Sequence, residues 1–160
     1  DAPNDSGVKA LHIAAYKGHN DTAMLLLAHG AAVDAANNYG ATPLLMAAFQ
    51  GHSETSKILL AHGAAVDAAN NNGSTPLFMA AQQGHDKTAK LLLAHGAAVD
   101  AANNNGGVTP LFMAAQQGHD KTAKILLAHG AAVDAANIFF ATPLLMAAQQ
   151  GHNETAKILL

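Results

Sequence analysis

Apolar positions along this chain fall into short helical runs separated by polar turns. From Thr42, the segment TPLLMAAFQ sets Leu44, Ala47 and Ala48 on one helical face, with small residues that let neighbouring helices approach closely. Thr42 can cap this helix and Pro43 takes its first position, where a missing N–H does no harm. Gly51 ends it. A second helix follows, with Ser53 as its expected cap and Ile58, Leu59 and Leu60 as its buried rib. Gly63, after His62, gives a left-handed stop. The residues between helix pairs read as an extended finger, turning at Asn38-Tyr39-Gly40 just before Thr42.

The same unit recurs through the chain. The stretch NGSTPLFMAAQQGHDKTAKLLLAHGAAV, from Asn72 to Val99, is nearly copied from Asn105 to Val133, from Tyr39, and from Phe140, with a looser version opening at Ser6. The capping threonine returns at Thr42, Thr75, Thr109 and Thr142, in steps of 33, 34 and 33 residues. Asn20, Asp86, Asp120 and Asn153 stand where Ser53 does, all suited to capping a second helix. Self-similarity at this period marks a solenoid whose repeats pack only on their neighbours. The repeats are 1–33, 34–66, 67–99, 100–133 and an incomplete 134–160. The third and fourth differ only at Leu91 against Ile125 and at Ser74 against Gly107-Val108, which indicates recent duplication or design. The extra residue falls in a finger and should leave the helices in register.

TPL opening a short helix, AA within it, GH between two helices and LLxHGAxV closing the second resemble the ankyrin repeat over essentially all 160 residues. The resemblance implies an all-α solenoid of five helix pairs with short extended fingers, curved into a shallow groove. One departure stands out. The family commonly reads TPLH, and only His12 keeps that histidine; Leu45, Phe78, Phe112 and Leu145 replace it elsewhere. The threonine–histidine hydrogen bond is expected to be missing in those four repeats. The opening helix, roughly from Lys9 to Lys17, is the most polar first helix of the five, so the first repeat reads either as an amino-terminal cap or as a diverged internal repeat.

Composition narrows the function. Half of the residues are apolar and only 12% are charged, enough to stack a continuous core and not the balance of a disordered chain. Net charge is −3, with eight lysines and no arginine, and the lysines alternate with Asp and Glu. No basic stripe forms, and no nucleic-acid partner is expected. No apolar run approaches the ~18 residues of a membrane span, so no membrane partner is expected either. The absence of cysteine removes thiolate chemistry and disulfides, and fits an intracellular protein. Asn4, Asn20, Asn72 and Asn153 begin N-x-Ser/Thr triplets, which an Asn-rich chain produces by chance.

The ten histidines invite a metal or acid–base reading. Nine of them form two series, His19, His52, His85, His119 and His152 after the inter-helix glycine, and His29, His62, His95 and His129 near the second-helix end. Ladder neighbours about 8–10 Å apart cannot share an ion that needs nitrogens within about 2.1 Å. Bonds to backbone groups in the turns fit better, and no cofactor or metal is expected. His85-Asp86 and His119-Asp120 suggest a catalytic dyad, yet the acidic position is Asn20, Ser53 and Asn153 in the other copies, a variation that helix ends tolerate and catalysis does not. A calcium loop at Asp67–Gly73 fails, because Ala68 and Met79 would fall at essential ligand positions.

Surface for binding remains, which makes the chain a non-enzymatic interaction module with a protein partner. By the ankyrin resemblance, finger tips and exposed first-helix positions line the groove: Asn38, Tyr39, Ala41, Phe49 and Gln50; Asn72, Ser74, Gln82 and Gln83, with Asn71 beside them; Val108, Gln116 and Gln117, with Asn104 and Asn105; and Ile138, Phe139 and Phe140, with Gln149 and Gln150. Phe78 and Phe112 read as packing residues instead. The alternative function is a structural scaffold or a segment of a longer array. An incomplete fifth repeat would leave Leu144, Ala148, Ile158, Leu159 and Leu160 as an apolar end interface beside Ile138–Phe140. More chain, a partner, or a second copy is expected to cover it, with head-to-tail copies forming filaments and a two-fold dimer pairing like ends; a frayed monomer is the alternative.

Overall fold

A computed structural model describes residues 2–160, which fold into ten helices among the described residues, with no strand. They form five consecutive pairs: α1 Ala10–Lys17 with α2 Asn20–Ala28, α3 Pro43–Gln50 with α4 Ser53–Ala61, α5 Pro76–Gln83 with α6 Asp86–Ala94, α7 Pro110–Gln117 with α8 Asp120–Ala128, and α9 Pro143–Gln150 with α10 Asn153–Leu159. First helices pack on first helices of adjacent repeats, and second helices on second helices.

Four first helices begin as the sequence predicts. Thr42 Oγ1 accepts from Leu45 N at 3.3 Å, and Thr75, Thr109 and Thr142 accept from Phe78, Phe112 and Leu145 N at 3.2 Å, each with proline at the first helical position. These caps work without histidine. In α1 the capping position holds Lys9, which has no hydroxyl, and the helix starts at Ala10. There His12 Nδ1 accepts from Lys9 N at 3.0 Å, while the opposite ring nitrogen bonds Ala41 O at 3.1 Å. The retained histidine thus satisfies the amide of the capping residue, while the His12 amide, which a threonine hydroxyl would take, bonds Lys9 O at 3.0 Å.

The second helices correct the sequence reading by one residue. Ser53, Asn20, Asp86, Asp120 and Asn153 are their first helical residues, and the capping positions belong to His52, His19, His85, His119 and His152, with no side-chain cap. The His52, His85, His119 and His152 rings turn away from their own helix toward the preceding repeat. Of the residues after them, Asp86 and Asp120 accept from Thr122 and Thr155 of the following repeat.

Packing follows the ladder. Leu11, Leu44, Leu77 and Leu111 stack in the first-helix layer and Leu59, Leu92 and Leu126 beneath the second, all buried. Each such leucine contributes about 1.5–3 kcal/mol. Alanines at 47, 48, 80, 81, 114 and 115 are also buried, which brings the first-helix layer close together. Phe78 and Phe112 are buried as well, in agreement with the packing reading. On the first repeat Ile13, Met24 and Leu25 are exposed beside the polar Lys17, Asp21 and Thr22.

The fingers bond to one another through the backbone. Asn38 N donates to Ser6 O, Asn71 N to Tyr39 O, Asn104 N to Asn72 O and Ile138 N to Gly106 O, at 2.8–3.0 Å. Within each finger one asparagine organises the turn. Asn37 Oδ1 accepts from Tyr39 N and Ala41 N, and Asn70 and Asn137 repeat this. The extra residue of the fourth finger is absorbed in its turn, where Asn103 closes on Val108, while α7 packs on α5 and α9 as its counterparts do.

Candidate functional site

The first-helix side carries an apolar depression of about 220 Å³, lined by Tyr16, Ala41, Leu45, Met46, Phe49, Met79 and Gln82. It forms because Tyr16, Phe49 and Gln82 occupy one register position on α1, α3 and α5, and Met46 and Met79 another, one turn earlier. Phe49 is exposed, Met46 and Met79 are half-buried, and no charged side chain lines the depression. Lys17 Nζ lies 5.6 Å from the Tyr16 ring centroid, a cation–π distance. Phe49 and Gln82 are predicted groove residues. Tyr16, Leu45, Met46 and Met79 were not, although the Met–x–x–Phe/Gln spacing of i, i+3 already places both residues on one face.

Along the rest of this side, Gln83 and Gln117 are exposed and Gln50 and Gln116 half-buried, while the finger tips present Asn38, Tyr39, Asn72 and Asn105. Two predicted residues are buried. Ser74 is buried, its backbone held by Asn70 at the finger base, and Ala41 is buried with its carbonyl bonded to His12, so it contributes only to the floor. Val108 is half-buried. Asn38 and Asn71 are exposed yet already engaged, their side-chain amides donating to Asp5 O and Asn38 O. Ile138, Phe139 and Phe140 stand in solvent at the fifth finger, Phe140 at 88% exposure.

At the carboxyl-terminal face, Leu144 and Ile158 are half-buried, Ala148 is exposed and Leu160 is 92% exposed. Leu159 does not belong to this face. It occupies the buried register of Leu59, Leu92 and Leu126 and is packed inside its own helix pair. Leu145, absent from the sequence-derived set, is 54% exposed there, whereas Leu45 at the same register is 5% exposed beneath the next repeat.

The polar ladders account for the residues that suggested chemistry. His52, His85, His119 and His152 Nε2 bond Tyr16, Phe49, Gln82 and Gln116 O at 3.0–3.1 Å, and His29, His62, His95 and His129 Nδ1 bond the carbonyl four residues earlier at 2.8 Å. The ring of His85 thus faces the repeat before it, and Asp86 accepts from Thr122 in the repeat after it. The two do not form a dyad. Asp34, Asp67 and Asp100 receive the amide of Ala65, Ala98 and Ala132 in the next repeat, a ladder the sequence reading missed. Among the described residues no three His, Asp or Glu side chains gather to hold a metal, and no helix is long and apolar enough to cross a membrane.

Two titratable groups are perturbed: the exposed Lys157 ammonium, raised by its hydrogen bond to Glu154, and the His12 imidazole. Burial pushes the His12 imidazole below its ordinary value of 6.5, partly offset by its bonds to the Ala41 and Ala35 carbonyls, with Lys9 adding a further lowering.

A family model described as ankyrin repeats, three copies, matches residues 1–70 and again 64–137. A search of curated proteins returned no match.

Proposed function

Because the chain belongs to the ankyrin-repeat family, whose members serve generally as protein–protein interaction modules, we propose that it binds a partner protein through its first-helix and fingertip side. The depression between Tyr16, Met46, Phe49 and Met79 is the anchor point. That depression is the observation carrying the reading. It is apolar, open and uncharged, and aromatic anchors in such pockets are where binding energy concentrates. The partner it suits inserts one apolar side chain, since methionines adapt to varied shapes, and meets amide groups along Gln82, Gln83, Gln116 and Gln117. Repeats three and four present nearly the same surface, so recognition that depends on sequence rests on the first two repeats and the fifth finger.

Peptides selected from a random library on the full chain test this. Phe49→Ala and Tyr39→Ala should each weaken the selected peptides by about tenfold or more, equivalent to about 1.4 kcal/mol. Met24→Ala, on the second-helix side, should leave them unchanged. Peptides that bind equally well after both aromatic replacements would remove the anchor from the reading.

A further inference from the structure

The left-handed turn residue of the finger is glycine in the first three repeats, and the spacing to the next finger shows why. A Cβ added at Gly7 would lie 3.1 Å from Asn38 N and 2.5 Å from its Oδ1. At Gly40 it would lie 2.8 Å from Asn71 N, and at Gly73, 2.9 Å from Asn104 N. These are backbone contacts well inside the ~3.5–4.0 Å of favourable packing, so no rotamer change relieves them. The fourth finger has an extra residue, and there a Cβ at Gly107 would stand 3.9 Å from Ile138 N, outside the tight range. The fifth finger has no extra residue and places Phe140 at φ 61 in the glycine position, the one non-glycine residue with positive φ among those described. Its Cβ occupies the space that Gly7, Gly40 and Gly73 leave open.

We infer that Phe140 closes the finger ladder: the fifth finger gives a backbone bond to its neighbour on one side and is barred from receiving one on the other. Ile138 N still donates to Gly106 O at 2.9 Å, so the donating half is intact. A sixth finger bonding its amide to Phe139 O in the register of Asn71 on Tyr39 would bring that amide against the Phe140 Cβ. The first finger of a second copy meets the same obstacle, because Asp5 holds the ladder position and its backbone nitrogen would take the place of Asn71 N. Head-to-tail extension of the solenoid in register is therefore excluded at this face. Any contact made there uses a surface other than a continued ankyrin ladder.

The experiment appends a copy of residues 61–93 after Leu160 of the full chain, in the original form and with Phe140→Gly. Hydrogen exchange then reads the appended amide equivalent to Asn71 N. Exchange at this amide should be at least about tenfold slower in the Phe140→Gly form than in the Phe140 form. Equal protection in the two forms, whether high or low, overturns the inference.

Discussion

The hydroxyl of Thr88 is buried and unbonded, and the residue in the register of its missing partner is Ser53. In the other repeats Thr55 donates to Asn20 Oδ1 and Thr122 to Asp86 Oδ1, both at 2.6 Å, and Thr155 donates to Asp120. Serine is one bond shorter than either asparagine or aspartate, so its oxygen falls short. Ser53→Asp should restore the bond and stabilise the chain by roughly 1–3 kcal/mol, part of it from placing a carboxylate at the α4 amino terminus. Urea unfolding of Ser53→Asp, Thr88→Val and the double variant separates the parts. Thr88→Val should be near neutral in the original chain and costly beside Asp. Additive changes would show that no bond had formed.

His12 gives the fold a specific acid sensitivity. Its Nδ1 must be unprotonated to accept the Lys9 amide, and burial lowers its folded pKa below 6.5. The unfolded chain therefore binds the proton more readily. The stabilising contribution of this residue is fully present above pH 6.5 and is lost as pH falls from 6.5 toward the lowered folded value, with no further loss beneath it. Amides of α1 should thus lose hydrogen-exchange protection between pH 7.5 and 5.5 before those of α5. His12→Leu, the residue that repeats two and five carry there, should lower stability at pH 7.5 and flatten this pH dependence. An unchanged acid profile in the variant would place the sensitivity elsewhere.

Identical letters at one register do not carry identical energies. Leu45 lies beneath the following repeat and Leu145 stands half in solvent. Leu45→Ala should cost about 2–5 kcal/mol and Leu145→Ala less than about 1 kcal/mol. Denaturant midpoints of the two variants measure the difference.

That contrast marks what the sequence could and could not reveal. The Thr-Pro starts, the glycine stops and the 33-residue step were legible because each is a local rule acting within a few residues. The burial of Leu159 was legible too, had its register with Leu59 been followed, since that position faces its own repeat. The capping histidines were misplaced because a cap depends on where neighbouring side chains point, and the His52 ring is drawn to Tyr16 O, 36 residues away in sequence. The depression at Phe49 escaped in part for the same reason. Tyr16, Met46 and Met79 become one surface only after three first helices are stacked side by side.

The fifth finger allows the ladder argument to be tested on stability alone. Gly40→Ala forces a side chain into a left-handed conformation costing about 1–2 kcal/mol, and also drives its Cβ against Asn71 N, so the loss should reach about 2 kcal/mol or more. Phe140→Gly removes the same conformational cost from a side chain that is 88% exposed and loses almost no packing. The added freedom of glycine in the unfolded chain takes back about 0.5–1 kcal/mol. The net change should be stabilising and no larger than about 1 kcal/mol. Thermal or urea unfolding of the two single variants suffices. If Phe140→Gly destabilised the chain by as much as Gly40→Ala does, the phenylalanine would be holding the fifth repeat together instead of ending its ladder.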